Sequence, residues 1–149
     1  MKTFPFDLEL FRYSTEVLIR WSDLDAFQHV NNAVYLTYFE QGRIEYFTDN
    51  CIPWDWKNTG AILARAEIDY GAPLHFGDNA KIYIRCSRIG NKSVDFEYVI
   101  MKSINPDDTL PVAWGKTVLV AYQYASGKSV ELPHYAVEAL VKIDNPIKS

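Results

Sequence analysis

One stretch near the N-terminus constrains the fold most, because its apolar residues cover nearly the whole circumference of a helix. The stretch runs from about Asn32 to Thr48. Its apolar members are Ala33, Val34, Tyr35, Leu36, Tyr38, Phe39, Ile44, Tyr46 and Phe47. A surface helix carries a single apolar stripe, so this pattern predicts a buried helix. Gly42 lowers helix propensity by about 1 kcal/mol relative to alanine, and we expect another backbone to approach closely there.

Strands account for most of the remaining chain. Apolar and polar residues alternate with period two from Thr15 to Trp21, and this alternation is typical of strands. The later strand-like segments are 61–70, 80–88, 93–101 and 112–124. The short connections at 89–93 and 105–110 favour antiparallel pairing, and Pro133 suits the first turn of a short C-terminal helix. The predicted fold is α+β, in the order β-α-β-β-β-β, with an antiparallel sheet curled around the long helix.

A single sheet can cover only part of a helix that is apolar nearly all round. The uncovered surface needs a partner, and a second copy of the same chain is the usual one. The sequence therefore predicts a homodimer, with a tetramer left open.

Length and charge narrow the possible functions. The chain has 149 residues, which suits one domain spanning 1–149. Its formal net charge of −4, with scattered basic residues, argues against a nucleic-acid partner. The N-terminus lacks the pattern of a signal peptide and no segment is apolar enough to span a membrane. Cys51 and Cys86 are expected to be reduced thiols, so the predicted location is the cytoplasm.

The segment in front of the long helix carries the most specific pattern. Residues 25–43 contain Asp25-x-x-x-His29-Val30-Asn31-Asn32-x-x-Tyr35-x-x-Tyr38-x-Glu40-x-x-Arg43. Two shorter patterns follow, Asp69-Tyr70-x-x-Pro73-Leu74-x-x-Gly77-Asp78 and Arg88-Ile89-Gly90-x-x-Ser93. Together they resemble the hotdog-fold acyl-CoA thioesterases of the 4-hydroxybenzoyl-CoA thioesterase-like family. The resemblance covers about residues 15–124 and implies the hotdog fold, with two sites at a dimer interface.

The resemblance implies a role for each matching residue. Asp25 is the catalytic carboxylate, acting as nucleophile or as base for a water, and the backbone N–H of Asn32 polarises the thioester carbonyl. The residues implied to contact the substrate are His29, Asn31, Tyr35, Arg88, Lys92 and Ser93. The acyl group lies along the central helix, and coenzyme A, as part of the substrate, lies near the 88–93 hairpin. The carrier is CoA or an acyl carrier protein, and no metal or separate cofactor is implied.

The chemistry of these residues is compatible with that role. A helix N-terminus has unpaired N–H groups and partial positive charge, and one such donor to a developing oxyanion contributes about 3 kcal/mol. A carboxylate is a weak base, but a thiolate leaves without a general acid. One carboxylate and one N–H donor are therefore sufficient for a thioester.

Structural alternatives exist for the same residues. Asp23 and Asp25 are residue types that cap turns, and Asn31 or Asn32 suits the helix N-cap. His29 suits a structural hydrogen bond, and Arg88 and Lys92 suit a solvated surface. Glu40 and Arg43 are spaced to pair on the helix.

Two other functions remain open at this stage. A non-catalytic acyl-thioester binding module needs the same groove. A hotdog enoyl-thioester hydratase is disfavoured because the segment Asp25-Ala-Phe-Gln-His29 lacks the Asn-Pro that such enzymes carry between their Asp and His.

Overall fold

A computed structural model describes residues 4–149. The elements in chain order are β1 (Tyr13–Val17), α1 (Val34–Asp49), β2 (Thr59–Tyr70), β3 (Ala80–Ile89), β4 (Ser93–Asn105), β5 (Asp108–Gln123), β6 (Lys128–Ser129), α2 (His134–Asp144) and β7 (Ile147–Lys148). Short 3-10 turns occupy Leu8–Leu10 and Trp21–Asp23. The predicted order of one strand, a long helix, four strands and a short helix is confirmed. None of the helices described is long and apolar enough to cross a membrane.

The five longer strands form an antiparallel sheet in the order β1-β3-β4-β5-β2. The strands β1 and β2 are therefore at opposite edges, although only α1 separates them in the chain. The connection has to cross the sheet, and α1 makes that crossing over one face. Tyr46 and Phe47 pack there against Phe96 of β4. This curled sheet around one helix is the predicted hotdog architecture.

The first strand ends earlier than predicted. It stops at Val17, which pairs with Ala80, the first residue of β3. Residues beyond Val17 have no ladder partner, so the chain leaves the sheet and Trp21 is 71% exposed rather than buried. In β2 both faces are largely exposed, because its outer edge and much of its surface meet no other element of the described chain.

The central helix begins at Val34 rather than Asn32. Asn31 caps it, since the Asn31 carbonyl accepts from the Val34 N–H at 2.9 Å and its side-chain oxygen accepts from the Ala33 N–H at 2.9 Å. One face of the helix is buried, and Leu36 and Ile44 on the other are exposed at 38% and 60%. The sheet of the single chain therefore covers only one face of the helix, as the sequence predicted, and the open face carries apolar side chains.

The centre of the helix packs against a position in the sheet that has no side chain. Phe39 stacks on Tyr98 of β4 with ring centroids 4.3 Å apart and planes 7° apart. The neighbouring residue on β5 is Gly115, which is paired with Tyr98 in the ladder. A Cβ at Gly115 would meet the Phe39 ring at 3.0 Å and collide with the Glu67 carbonyl oxygen. The absent side chain is therefore what lets Phe39 lie flat on the sheet.

Gly42 faces side chains rather than a backbone. A Cβ there would meet the terminal methyl of Ile84 at 2.6 Å and side-chain atoms of Ile82 at 3.2 Å. The expected close approach is confirmed, but the neighbour is wrong, because two isoleucines of β3 fill the space below the helix.

The C-terminal helix is attached to the core by Asp144. Its Oδ2 accepts from the Tyr46 hydroxyl at 2.5 Å and from the Cys86 N–H at 2.8 Å. Burial raises the pKa of Asp144 above its usual value. Cys86 is buried and Cys51 is exposed, and both are free thiols as predicted.

A buried carboxylate ties the loop before the helix to the helix itself. Asp23 is 2% exposed and accepts from the Arg20 N–H, from two guanidinium nitrogens of Arg20 and from the Tyr38 hydroxyl, at 2.8–3.0 Å. Burial raises its pKa, but the hydrogen bonds from Arg20 and Tyr38 outweigh burial, so the pKa lies below its usual value. Asp23 is therefore a structural anchor, as the turn-capping interpretation predicted.

Replacing Gly115 tests the packing at the centre of the sheet. We expect Gly115→Ala to lower the free energy of unfolding by about 1–3 kcal/mol, because the added methyl overpacks the core. Urea unfolding measures the change. Gly42→Ala is the matched control, since flexible side-chain ends can yield there and alanine favours the helix. A Gly115→Ala protein at least as stable as Gly42→Ala would contradict this account.

Replacing Asp23 tests the anchor. Because the folded pKa is lowered, ionised Asp23 stabilises the fold above its unfolded pKa, and this contribution disappears as pH falls through the folded value. We expect Asp23→Asn to cost about 2 kcal/mol at neutral pH, with a smaller difference from wild type at about pH 3. Urea unfolding at both pH values measures this. The exposed Asp108→Asn is the control, and an equal Asp23→Asn deficit at both pH values would refute the anchor's charge dependence.

Candidate active site

The segment from Leu24 to Val30 folds back on itself in front of the helix. Leu24 and Val30 form an isolated antiparallel bridge. Within this turn the Asp25 N–H donates to the His29 carbonyl at 2.9 Å, and the Gln28 N–H donates to the Asp25 carbonyl at 3.0 Å. Gln28 takes a positive φ of 63°, which closes the turn. This tight turn holds Asp25 and His29 at its base, next to the start of α1.

The turn is attached on both sides. The Val30 N–H donates to the Leu74 carbonyl and the Asn31 N–H donates to the Asp23 carbonyl, both at 2.9 Å. The ring of His29 meets the ring of His75 edge-on, with centroids 4.9 Å apart. The position of Asp25 is therefore set by the anchor at Asp23, by the 74–75 segment and by the helix start.

Asp25 lines a cavity of about 290 Å³ at this end of the helix, which we call the site cavity. The other lining residues are His29, Val30, Asn32, Tyr35, Tyr70, Gly71, Ala72 and Pro73. The predicted residues Asp25, His29, Asn32 and Tyr35 are thus brought together in one place. Asn31 lies at the edge of this group, where its side chain caps the helix.

The Asp25 carboxylate has one oxygen engaged and one available. Oδ1 accepts from the Phe27 N–H at 2.9 Å and, at 3.4 Å, from the His29 N–H. Oδ2 accepts no hydrogen bond from any residue in 4–149. Oδ1 of Asp25 therefore caps the turn, as the structural alternative predicted, while Oδ2 remains without a hydrogen-bond partner among residues 4–149.

The Asn32 amide is available in the same way. Its neighbours Asn31, Ala33 and Val34 all donate their N–H groups within the chain. Among the residues that the structure describes, none accepts from the Asn32 N–H. Two residues that each keep one polar group without a partner in the described chain therefore line the same cavity, at the electropositive end of α1.

Tyr70 is a site residue whose individual role the sequence did not reveal. Its hydroxyl donates to the Asn32 carbonyl at 2.8 Å, and its ring packs edge-on against Tyr35 with centroids 5.2 Å apart. Burial raises the pKa of Tyr70 and of Tyr35, so both stay neutral. In the sequence, Tyr70 stood out only as part of the Asp69-Tyr70 pattern. A tyrosine at the end of a strand gives no information about which backbone group its hydroxyl will contact.

The residues expected near the coenzyme lie elsewhere in the chain. Ala80 begins β3, and Arg88 lies near the other end of that strand. Eight residues at 3.3 Å each place Arg88 about 26 Å from Ala80 along the strand. The guanidinium of Arg88 donates to both carboxylate oxygens of Asp95 at 2.9–3.0 Å and to the Ser93 hydroxyl at 3.1 Å. Lys92 is exposed at the tip of the hairpin. A single chain does not bring Arg88, Lys92 and Ser93 to the site cavity.

The described residues contain no group of three or more His, Cys, Asp or Glu side chains that could hold a metal ion. Glu40 and Arg43 do not pair within residues 4–149, because the guanidinium of Arg43 donates to the Tyr98 hydroxyl at 3.1 Å instead. That bond directs Arg43 inward beneath the helix.

Known proteins are similar to this chain in sequence. The chain is 28% identical over 131 residues to the uncharacterized protein YsmA of Bacillus subtilis, covering 88% of this chain and 86% of that one. It is 34% identical over 103 residues to the chloroplastic acyl-acyl carrier protein thioesterase ATL2 of Arabidopsis thaliana, covering 66% of this chain. The chain spans about half the length of that relative, 54%.

A solved structure agrees over nearly the whole chain. A Thermus thermophilus thioesterase, crystallised with coenzyme A and zinc, superposes with a TM-score of 0.76 and 31% identity, over 92% of this chain and 97% of that one. Residues 19–140 match the sequence profile of the thioesterase-like superfamily. The chain belongs to the thioesterase-like superfamily, with the hotdog fold that the sequence predicted.

Proposed function

We propose that the protein is an acyl thioesterase that hydrolyses the thioester of an acyl-CoA or acyl carrier protein to a carboxylic acid and a thiol. One observation carries this proposal: Asp25 and Asn32 line the same cavity at the start of α1, and within residues 4–149 Asp25 Oδ2 and the Asn32 N–H have no hydrogen-bond partner. The names of the similar proteins support the same reaction class. They include both kinds of carrier, and the choice between them stays open.

The proposed reaction uses both groups on one carbonyl. The thioester oxygen accepts from the Asn32 N–H, which stabilises the negative charge that develops on that oxygen. Asp25 Oδ2 either takes a proton from an attacking water or attacks the carbonyl carbon itself. The tetrahedral intermediate then loses the C–S bond, and the thiolate leaves without a general acid. With water as the nucleophile this step gives the carboxylic acid directly. With Asp25 as the nucleophile it gives an acyl-aspartate anhydride, which a water molecule hydrolyses to release the acid and restore the carboxylate. Tyr70 keeps the Asn32 peptide in place through the bond to its carbonyl.

A second copy of the chain would complete the site. The long strand β2 is an edge of the described sheet, and an unpaired edge of this length normally pairs or aggregates. Two β2 edges pairing antiparallel about a two-fold axis bring the Tyr70 end of one subunit beside the Thr59 end of the other. In the sheet, Ser93 pairs with Val120 and Val120 pairs with Ile62. The 88–93 hairpin of one subunit therefore approaches the site cavity of the other.

Charge complementarity selects a register for this pairing. Arg65 and Glu67 are exposed on β2. If Ala66 lies opposite its own copy, Arg65 of each subunit faces Glu67 of the other, as an isologous interface requires. Opposite charges directly across a strand pair are favourable. Leu36 and Ile44 on the exposed face of α1 line pockets together with Leu63 and Ala61 of β2, so a partner paired at this strand would also cover them.

The role of Asp25 is tested by replacement. We expect Asp25→Asn to lower kcat for thiol release by about 10²–10⁴-fold, because the variant has neither a base nor a nucleophile at that point. A panel of acyl-CoA esters, assayed for free thiol, measures this. Asp108→Asn, an exposed aspartate in another part of the sheet, is the matched control.

The same assay separates the alternatives. Equal rates for wild type and Asp25→Asn would remove Asp25 from the mechanism. Loss of an enoyl thioester's absorbance without free thiol would indicate a hydratase. Wild-type protein that binds acyl thioesters but releases no thiol from any of them would indicate a binding module.

The dimer is tested by charge reversal on β2. We expect wild type to be at least a dimer and Arg65→Glu to dissociate more readily, because an acidic side chain would then face Glu67 of the other subunit. Arg65→Glu combined with Glu67→Arg should restore the dimer. Size-exclusion chromatography with light scattering measures all three proteins. The exposed Lys128→Glu is the control for charge alone, and a folded wild-type monomer at micromolar concentration would refute the proposed assembly.

A further inference from the structure

A large cavity lies at the far end of the central helix from Asp25. It measures about 750 Å³ and is bounded by the second half of α1, the 51–56 loop and the sheet at Ala61 and Leu119. We call it the aromatic cavity, after the rings of Phe47, Trp54 and Trp56 that line it. A volume of this size is in the range of pockets that enclose a small-molecule ligand.

The three rings form a connected apolar wall. Trp54 and Trp56 stack with centroids 5.1 Å apart, and Phe47 meets them edge-on at 5.8 Å and 5.3 Å. Trp54 is buried, and its indole N–H donates to the Thr59 carbonyl at 2.8 Å. Trp56 is 48% exposed. Trp54 is thus fixed by the fold, whereas Trp56 covers the cavity from outside and can be removed at little cost to the core.

The aromatic cavity cannot serve the site cavity of its own chain. Phe47 follows Asn32 by fifteen residues, which corresponds to about 22 Å along a helix. The two-fold pairing of β2 changes this relation, because the part of β2 from Ala61 to Leu63, beyond the irregularity between Leu63 and Arg65, then lies beside Tyr70 of the second subunit. Ala61, next to Ile62, lines the aromatic cavity, and Tyr70 lines the site cavity. The aromatic cavity of one subunit is then adjacent to the site cavity of the other.

We propose that the aromatic cavity holds the acyl group of the substrate, that this group is an unbranched aliphatic chain, and that Trp56 limits its length. This inference rests on the proposed thioesterase function. The stacked indoles leave no slot between them for a flat aryl group, and the rest of the apolar lining is mainly aliphatic. Those aliphatic residues are Ile44, Ile52, Pro53, Ala61 and Leu119.

The charged groups at the cavity are consistent with an uncharged chain. Arg43 is turned towards Tyr98, where its guanidinium donates to the hydroxyl at 3.1 Å and lies 5.9 Å from the ring centre. Glu40 is exposed on the open side of the helix. Apart from Glu40, Arg43, Thr48 and Cys51, the residues that line the aromatic cavity are apolar.

The chain-length profile of hydrolysis tests the proposal. We expect kcat/KM for straight-chain acyl-CoA esters to rise roughly fourfold per added methylene while the chain fills the cavity, and then to level off or fall. In Trp56→Ala the chain length at which kcat/KM stops rising should increase, and in Trp56→Phe it should increase by a smaller amount. Tyr135→Ala, which removes an exposed aromatic ring from α2, should keep the wild-type profile.

Binding of uncleavable analogues separates this inference from the proposed function. S-alkyl-CoA thioethers of increasing chain length, measured by calorimetry, should show the same dependence and the same shift in Trp56→Ala. Two results would overturn the role of the aromatic cavity. In the first, both folded Trp56 variants release thiol but kcat/KM stops rising at the same chain length as in wild type. In the second, the enzyme prefers aryl over alkyl acyl groups. No thiol release together with length-dependent thioether binding would refute the thioesterase but keep the cavity. Binding independent of chain length would overturn the cavity itself.

Discussion

The crossing of the central helix over the sheet is the constraint on which the rest of the structure depends. The strands joined by α1 are at opposite edges, so the helix has to traverse the strands between them. The contact that permits this is Phe39 flat on Tyr98, beside a β5 position without a side chain. Helix and sheet approach closely only because residue 115 is a glycine. The helix axis, and with it the location of the helix N-terminus, follows from that contact.

The candidate site is a consequence of where the helix begins. Asp23 attaches the preceding loop to Tyr38 on the first turns of α1, and Asn31 caps the helix. With those two groups committed to structure, the next groups along the chain, Asp25 Oδ2 and the Asn32 N–H, remain unpaired in the described residues. The two aspartates of this loop, Asp23 and Asp25, therefore have different roles. Asp23 is buried and structural, whereas Asp25 is partly exposed and is the carboxylate of the proposed reaction.

The exposed surfaces of the single chain share a location. Leu36 on the open face of α1 lines a pocket together with Leu63 of the edge strand β2, and Ile44 lines the aromatic cavity together with Ala61 of β2. A two-fold partner on this side accounts for all three features at once. It also accounts for the separation within one chain between Asp25 and the hairpin that carries Lys92. The proposed substrate would then lie across two subunits, with the reacting carbonyl at one and the acyl chain in the other.

The local patterns of the sequence were sufficient to predict the elements and to single out the two residues of the proposed reaction. Period-two alternation located β2, β3 and β4, a more apolar run located β5, and the motif from Asp25 to Arg43 contains residues that line one cavity. Local sequence could not determine that β1 stops at Val17, since this depends on where β3 begins, nor that Tyr70 meets the Asn32 carbonyl. Local sequence also could not show that Arg88 lies far from Asp25 within one chain, because the length and direction of β3 decide at which end of the sheet Arg88 lies. Those features arise from contacts between residues distant in the chain, and such contacts exist only once the sheet has formed around the helix.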